Sequence, residues 1–287
     1  MKPFLYIFFF SPFFLFAQNV FSDVTSSSGI DNIYDVYQGL FGGGVVAFDY
    51  NKDGYEDLFI TGGQGQDVLY KNNGDGTFKN VTKESGLYKN KIIVTTGVSS
   101  ADVNKDGHID LFLTTIASQV DQTKRKKTLS PNLLYINNGD GTFSDQSSKF
   151  KITKSNFSTS SSFGDINADG FPDLFVSNYF KNFYFEESPF NTHNLAILNH
   201  YSINEEYETG DDEIYINVEG KYFKDVSNLL IDAGKGYGFG GVFTDFDNDN
   251  DLDLFIINDF GETSESNRLL VNQYPELRFE NKSRELK

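Results

Sequence analysis

The chain has no cysteine and no tryptophan, one methionine, six prolines and three histidines in 287 residues. Without cysteine there is no disulfide framework, no thiolate nucleophile and no thiolate metal site. Cations are scarce as well: 24 Lys plus Arg stand against 41 Asp plus Glu, giving a formal net charge of -17. A phosphate backbone needs a basic surface, so this balance argues against a nucleic-acid partner. Long helical periodicity is missing from the chain after the first stretch. What is abundant is aromatic bulk (30 Phe, 16 Tyr) and glycine (26), in a composition that is globular and not disordered.

The N-terminal MKPFLYIFFFSPFFLFAQN has one cation, Lys2, then an apolar run from Phe4 to Phe16, with Ala17 before the polar turn. That order describes a secretory signal peptide, 1–17, cleaved after Ala17. The run is shorter than the ~20 apolar residues a spanning helix needs, and Ser11-Pro12 breaks it. The remainder, 18–287, is expected to be secreted, at the cell surface or periplasmic, with no membrane span after cleavage.

Self-similarity then dominates the sequence. AFDYNKDGYEDLFI (47–60), SADVNKDGHIDLFL (100–113), FGDINADGFPDLFV (163–176) and FTDFDNDNDLDLFI (243–256) are four copies of one acidic phrase. A second phrase alternates with it: LYKNNGDGTFKNVT (69–82), LYINNGDGTFSDQS (134–147), IYINVEGKYFKDVS (214–227) and LLVNQYPELRFENKS (269–283), the last without the Gly turn. A half-copy, FSDVTSSSGI (21–30), precedes them. The closing Phe of the second phrase sets the phase, giving units of about 22–78, 79–143, 144–223 and 224–279. Two units are lengthened, by 116–132 and 178–212, at the same point of the repeat. Short apolar runs bounded by Gly, Asn and Asp predict strands, and NNGDG predicts plain hairpin turns. Four short strands per unit make an all-β fold of β-propeller blades, four full repeats plus an orphan N-terminal strand.

Aligned on its first Asp, each acidic phrase offers oxygen at positions 1, 3, 5 and 9. Loop one has Asp49, Asn51, Asp53 and Asp57; loop two has Asp102, Asn104, Asp106 and Asp110. Loop three has Asp165, Asn167, Asp169 and Asp173; loop four has Asp245, Asp247, Asp249 and Asp253. Position 7 (Tyr55, His108, Phe171, Asp251) varies in side chain, as expected where a backbone carbonyl is the ligand. Position 6 is Gly54, Gly107, Gly170 and then Asn250, the residue types that best tolerate a left-handed turn. Carboxylates crowded into nine residues repel unless a cation lies between them. All-oxygen donors of flexible number suit Ca2+ better than Mg2+, one ion for each of the four loops. The loops are not EF-hands, because position 12 is Ile60, Leu113, Val176 or Ile256 in place of the bidentate Glu. An Asp-rich turn without metal is the plainer alternative for any single copy.

The motif DxNxDGxxDLF, with Phe41-Gly42 and Phe239-Gly240 ahead of the first and fourth loops, resembles the FG-GAP or VCBS repeat. That repeat is the blade of the integrin α-subunit propeller, and the likeness covers about 21–283. FxDVTxxxGI and INDFGETSESNRLL (257–270) are also similar to the repeat region of bacterial ASPIC/UnbV-type proteins. The resemblance implies structural Ca2+ and a binding or adhesion platform. It also implies seven blades, so an incomplete seven-bladed propeller is expected ahead of a closed four-bladed ring. A protein or carbohydrate ligand would meet the insertion loops; the oligomeric state stays open.

A catalytic constellation is hard to find. His193, His200 and Glu205 or Glu206 lie in one long insertion without a recognised ligand spacing. There is no GxSxG and no phosphate-binding Gly loop. A non-enzymatic role is expected; the alternative is a propeller-type polysaccharide lyase or hydrolase with its site in the central channel. Lys124, Arg125, Lys126 and Lys127 form a basic cluster in the other insertion, and Asn156-Phe157-Ser158 fits a glycosylation sequon.

Overall fold

A computed structural model of the chain describes residues 21–35, 42–88, 93–119, 127–181, 209–230, 235–259 and 265–283. The expected signal peptide, Phe41, the cluster at 124–126 and the residues His193, His200, Glu205 and Glu206 lie outside the described residues. No helix among the described residues is long and apolar enough to cross a membrane.

The fold is all-β and built of antiparallel blades. Blade 1 contains β1 (Val45–Phe48), β2 (Asp57–Ile60), β3 (Val68–Asn72) and β4 (Phe78–Asn80) in that spatial order. Blade 2 contains β5 (Ile93–Ala101) and β6 (Asp110–Gln119), with the two-residue β7 (Lys127–Thr128) paired to β6. A second two-residue strand, β8 (Ser130–Pro131), crosses to the next blade, and β9 (Leu133–Asn137) and β10 (Phe143–Asp145) complete blade 2. Blade 3 contains β11 (Ser155–Gly164) and β12 (Asp173–Phe180), then β14 (Glu213–Val218) and β15 (Tyr222–Asp225). Between blades 3 and 4, β13 (Gly210–Asp211) pairs with β16 (Lys235–Gly236). Blade 4 contains β17 (Gly238–Thr244), β18 (Asp253–Asn258), β19 (Arg268–Asn272) and β20 (Phe279–Asn281).

Period-2 alternation decides which blade each side chain serves. In the repeated Asp-Leu-Phe-aliphatic strand, the Leu and the aliphatic residue point to the preceding blade and the Phe to the following one. Leu111 and Leu113 accordingly join Phe48, Tyr50 and Phe59 of blade 1 in one core cluster. Phe112 instead joins Leu174 and Val176 of blade 3, while Phe175 joins Leu254 and Ile256 of blade 4. A blade thus has no core of its own; the cores are the seams.

Polar bonds repeat at each seam. Thr61 Oγ1 donates to Thr96 O (2.8 Å), Thr96 Oγ1 to Ser158 O (2.8 Å) and Thr159 Oγ1 to Gly238 O (2.7 Å). Asn137 Nδ2 donates to Tyr50 O (2.9 Å), Asn217 Nδ2 to Val103 O (2.8 Å) and Asn272 Nδ2 to Ile166 O (2.8 Å), each reaching back one blade. At the far side of blade 4 the same positions open to solvent: Phe246 is 46 % exposed, whereas Ile166 is 1 % exposed.

The strand expected at the N-terminus has a different form. Residues 21–24 are not in a strand, and a short helix, α1 (Thr25–Ser28), ends at Gly29 in the left-handed region. A fourth strand needs the ladder of a third; β4 has β3, and residues 21–24 have no such partner among the described residues. The half-copy nevertheless docks as its homologue does. Gly29 approaches Phe78 O as Gly86 approaches Phe143 O, so closely that a methyl group on Gly29 would lie 2.7 Å from that oxygen. The fourth copy of the second phrase still forms a hairpin without its glycines, closed by Gln273 N donating to Arg278 O (2.9 Å).

Candidate metal centres

All four acidic loops connect the first strand of a blade to the second. In each, the residue before position 1 is the sheet partner of position 9: Phe48 with Asp57, Ala101 with Asp110, Gly164 with Asp173 and Thr244 with Asp253. The loop is therefore pinned at both ends. Inside it the chain turns left-handed twice. Gly54, Gly107, Gly170 and Asn250 at position 6 have φ of 87°, 85°, 86° and 73°, as the residue types predict. Position 4 was not foreseen: Lys52, Lys105, Ala168 and Asn248 have φ of 58°, 57°, 55° and 64°. Three of those four are residues that normally avoid this region, so the loop's own hydrogen bonds must hold them there.

Those bonds are repeated from loop to loop. In loop one, Asp49 accepts from Asp53 N (3.0 Å) and Gly54 N (2.8 Å), Asn51 Oδ1 from Asp53 N (3.1 Å), and Asp53 Oδ1 from Tyr55 N (3.1 Å). Loops two and three reproduce all four contacts. Loop four reproduces those to Asp245 and Asp249. The carboxylates at positions 1 and 5 are thereby tied to the backbone N–H groups of positions 5, 6 and 7.

Position 9 does more than close the loop. Asp57 Oδ2 accepts from Tyr50 N (3.2 Å) and its Oδ1 from Asn72 N (2.7 Å). Asp110, Asp173 and Asp253 bind the matching pairs: Val103 and Asn137, Ile166 and Asn217, Phe246 and Asn272. This carboxylate ties the loop to the end of the third strand. All four are buried. Burial pushes Asp57 up, and pushes Asp110 and Asp173 up to about 7, the neighbouring loop carboxylates adding to it. On the rim the Lys71 ammonium, 2.6 Å from Asp53, holds that carboxyl below its usual value.

Position 7 side chains pack on the neighbouring hairpin. A methyl group on Gly74 would lie 2.6 Å from the Tyr55 ring, and one on Gly139 2.7 Å from His108 Nε2. His108 is thus a packing residue of the NNGDG turn. In blade 4, which lacks the glycines, Asp251 Oδ2 accepts from Tyr274 N (3.2 Å) instead. Neighbouring loops also touch: Lys105 Nζ stands 4.4 Å from the centre of the Phe171 ring of loop three.

Loop four is the most acidic. One oxygen from each of Asp245, Asp247 and Asp253 lies within 4.8 Å of the others. Oxygens on opposite sides of a Ca2+ ion lie about twice the 2.3–2.6 Å bond length apart, so these three fit around one hard cation. Burial and the carboxylates of Asp249, Asp253 and Asp245 raise Asp247, and Asp251 is raised in the same way by burial, Asp249 and Asp253. Loops one to three carry Asn at position 3 and one fewer charge there.

Sequence reasoning missed the seam asparagines and the double role of position 9. A signal existed: Asn72, Asn137, Asn217 and Asn272 occupy the same place in all four copies of the second phrase. The sequon also changes meaning, since Asn156 Nδ2 donates to Glu213 Oε1 (2.8 Å) and Ser158 is buried.

Comparison with known proteins agrees with the geometry. The family model of the FG-GAP-like repeat matches residues 49–113 and 117–176, which contain loops one, two and three. Cartilage acidic protein 1 of Xenopus tropicalis is 27% identical over 179 residues, covering 58% of this chain and 25% of that protein. The chain thus spans about a quarter of the length of this curated relative. With repeated acidic loops, four-stranded antiparallel blades and two family matches in register with them, the chain is one that carries FG-GAP-like repeats.

Proposed function

We propose that the chain is an exported, calcium-binding β-propeller module that serves as a binding or adhesion platform for a protein or carbohydrate ligand. The observation that carries the calcium reading is loop four, where three carboxylate oxygens from Asp245, Asp247 and Asp253 share a space of one ion's coordination sphere. The same loop hydrogen bonds recur in the other three loops, and we assign one ion to each on that likeness. The ions are structural: a bound cation relieves the repulsion among the loop carboxylates and locks two left-handed residues per loop. In sequence the two insertions connect the second strand of a blade to its third, and they are the part of the repeat that does not recur. A ligand is expected there, because a rigid scaffold with variable loops at one edge is how repeat folds present partner surfaces.

Thermal melting with added calcium tests the ion. A ligand that binds only the folded state raises the melting temperature as its concentration exceeds Kd. The melting temperature is expected to rise by several degrees in millimolar Ca2+ and to fall in chelator, with Asp245→Asn reducing the rise. Identical melting in calcium and chelator would sink the proposal.

A further inference from the structure

The seam between blades 3 and 4 differs from the other two at one point, far from the acidic loops. Just before each third strand stands Asp67, Asn132, Asp212 or Asn267, whose oxygen accepts a backbone N–H from the end of the second strand. At the first seam the following blade adds a hydroxyl: Thr95 Oγ1 donates to Asp67 Oδ1 (2.6 Å). At the second, Asn132 Nδ2 donates to Ser158 Oγ (3.0 Å), which donates on to Asn178 Oδ1 (2.7 Å). At the third, the residue in the place of Thr95 and Ser158 is Gly238, and no hydroxyl arrives.

What remains is a group of closely packed buried oxygens. Asp212 is 3 % exposed; its Oδ1 takes Asn178 N (2.8 Å) and its Oδ2 has no partner. Ser177 Oγ and Asn258 Oδ1 are also buried without a hydrogen bond. Asp212 and Ser177 meet beside Gly238. A methyl group on Gly238 would lie 2.5 Å from both Asp212 Oδ1 and Ser177 Oγ and 2.9 Å from Asn178 O. Asn258 is the sheet partner of Gly238, and its Oδ1 stands against Gly236.

Charge decides what fits. Asp211 and Glu213 flank Asp212 and each has a lysine, Lys181 at 3.3 Å and Lys154 at 3.2 Å. Asp212, as deeply buried as Glu213, pairs with no lysine or arginine among the described residues. A buried carboxylate without a counter-charge costs several kcal/mol. Burial, with Glu213 and Asp211 adding, pushes the Asp212 carboxyl well above its usual range, against the Asn178 amide and the nearby Ser177 hydroxyl. One negative charge, a hydroxyl oxygen and amide oxygens form a hard donor set of net charge minus one. We propose that this seam binds a small monovalent cation of the sodium class on Asp212, Ser177 and the Asn178 carbonyl, beside Gly238 where blade 3 meets blade 4. The site is independent of the calcium loops and replaces the missing hydroxyl.

The test is melting of the full chain, saturated with calcium, in sodium chloride and in choline chloride at equal ionic strength. The wild type is expected to melt roughly 2–4 °C higher in sodium. Asp212→Asn should fold, because its amide reproduces the pattern of Asn132, and should melt alike in both salts. A crystal soaked in thallium should show an anomalous peak beside Asp212. Equal melting of the wild type in the two salts overturns the proposal. So does a sodium effect that survives in Asp212→Asn, which would place the ion elsewhere. A wild type indifferent to sodium but stabilised by acid, with Asp212→Asn indifferent to both, assigns a proton to Asp212 and overturns it as well.

Discussion

Blades 3 and 4 carry the same loop, pinned by the same register and the same carboxylate, yet of the two only blade 3 is followed by another blade among the described residues. At position 2 of the loop, Ile166 is 1 % exposed and Phe246 is 46 % exposed; at the end of the second strand, Ser177 is 0 % exposed and Ile257 is 41 % exposed. The internal bonds of the two loops hardly differ: Asp173 and Asp253 each take a loop N–H and a third-strand N–H at 2.8–2.9 Å. The loop is thus a local object, assembled by nine residues and one hairpin. The seam is relational and exists only where another blade supplies the opposite face. A mirror image holds at the other end, where Leu58 and Ile60 of blade 1 are half-buried while their equivalents Leu111 and Leu113 are fully buried.

The largest expected effect concerns charge under the seams. Asp110 and Asp173 lie in loops covered by a following blade, and burial pushes both from 3.8 up to about 7 in the metal-free chain. The folded form therefore takes up these protons more readily than the unfolded chain. Their contribution to stability is full below the unfolded value and is lost as pH rises through about 7. In chelator the melting temperature should fall between about pH 4 and 7, the window set by these groups, and calcium should flatten the fall. Asp173→Asn should roughly halve it without calcium, because Asp110 remains. A chelated protein that gains stability across this window would contradict the assignment.

Next in size is the apolar seam. Ile166→Ala removes a side chain packed between blades and should cost about 2–4 kcal/mol in denaturant unfolding. Phe246→Ala, at the same position without a covering blade, should cost under about 1 kcal/mol. Similar losses at both sites would mean that blade 4 is covered in solution.

The loops were legible because their chemistry is written in nine consecutive residues, four times over. Strand placement followed for the same reason, since Asp-Leu-Phe-aliphatic alternation is local. Position 4 was not legible: nothing in Lys52 or Ala168 announces a left-handed residue, which is imposed by Asp49 and Asp165 gathering the N–H groups beyond. The N-terminal strand was misjudged because a strand is defined by its partner, and the half-copy repeats a strand's sequence without the neighbour that makes it one. The Asp212 group of oxygens was equally hidden. It arises from a glycine, Gly238, standing where two other blades have a hydroxyl, and that comparison requires the seam to be seen.

The seam asparagines offer the finest test of local against relational structure. Asn217 Nδ2 is shared between Pro172 O in its own loop (3.2 Å) and Val103 O in blade 2 (2.8 Å), while its Oδ1 takes Gly220 N (2.9 Å). Asn72 makes the local pair, to Glu56 O (2.9 Å) and from Gly74 N (2.9 Å), and among the described residues no preceding blade offers it a carbonyl. Asn217→Ala strands a carbonyl inside the seam, where water cannot replace the bond, and should cost about 1–3 kcal/mol. Asn72→Ala exposes its former partners to solvent and should cost about 0.5–1 kcal/mol. The difference between the two, measured by denaturant unfolding of the calcium-bound chain, isolates the single bond that crosses from blade to blade. Equal costs would show that the asparagine serves only its own hairpin, and that the seams are held by apolar packing and the threonine bonds alone.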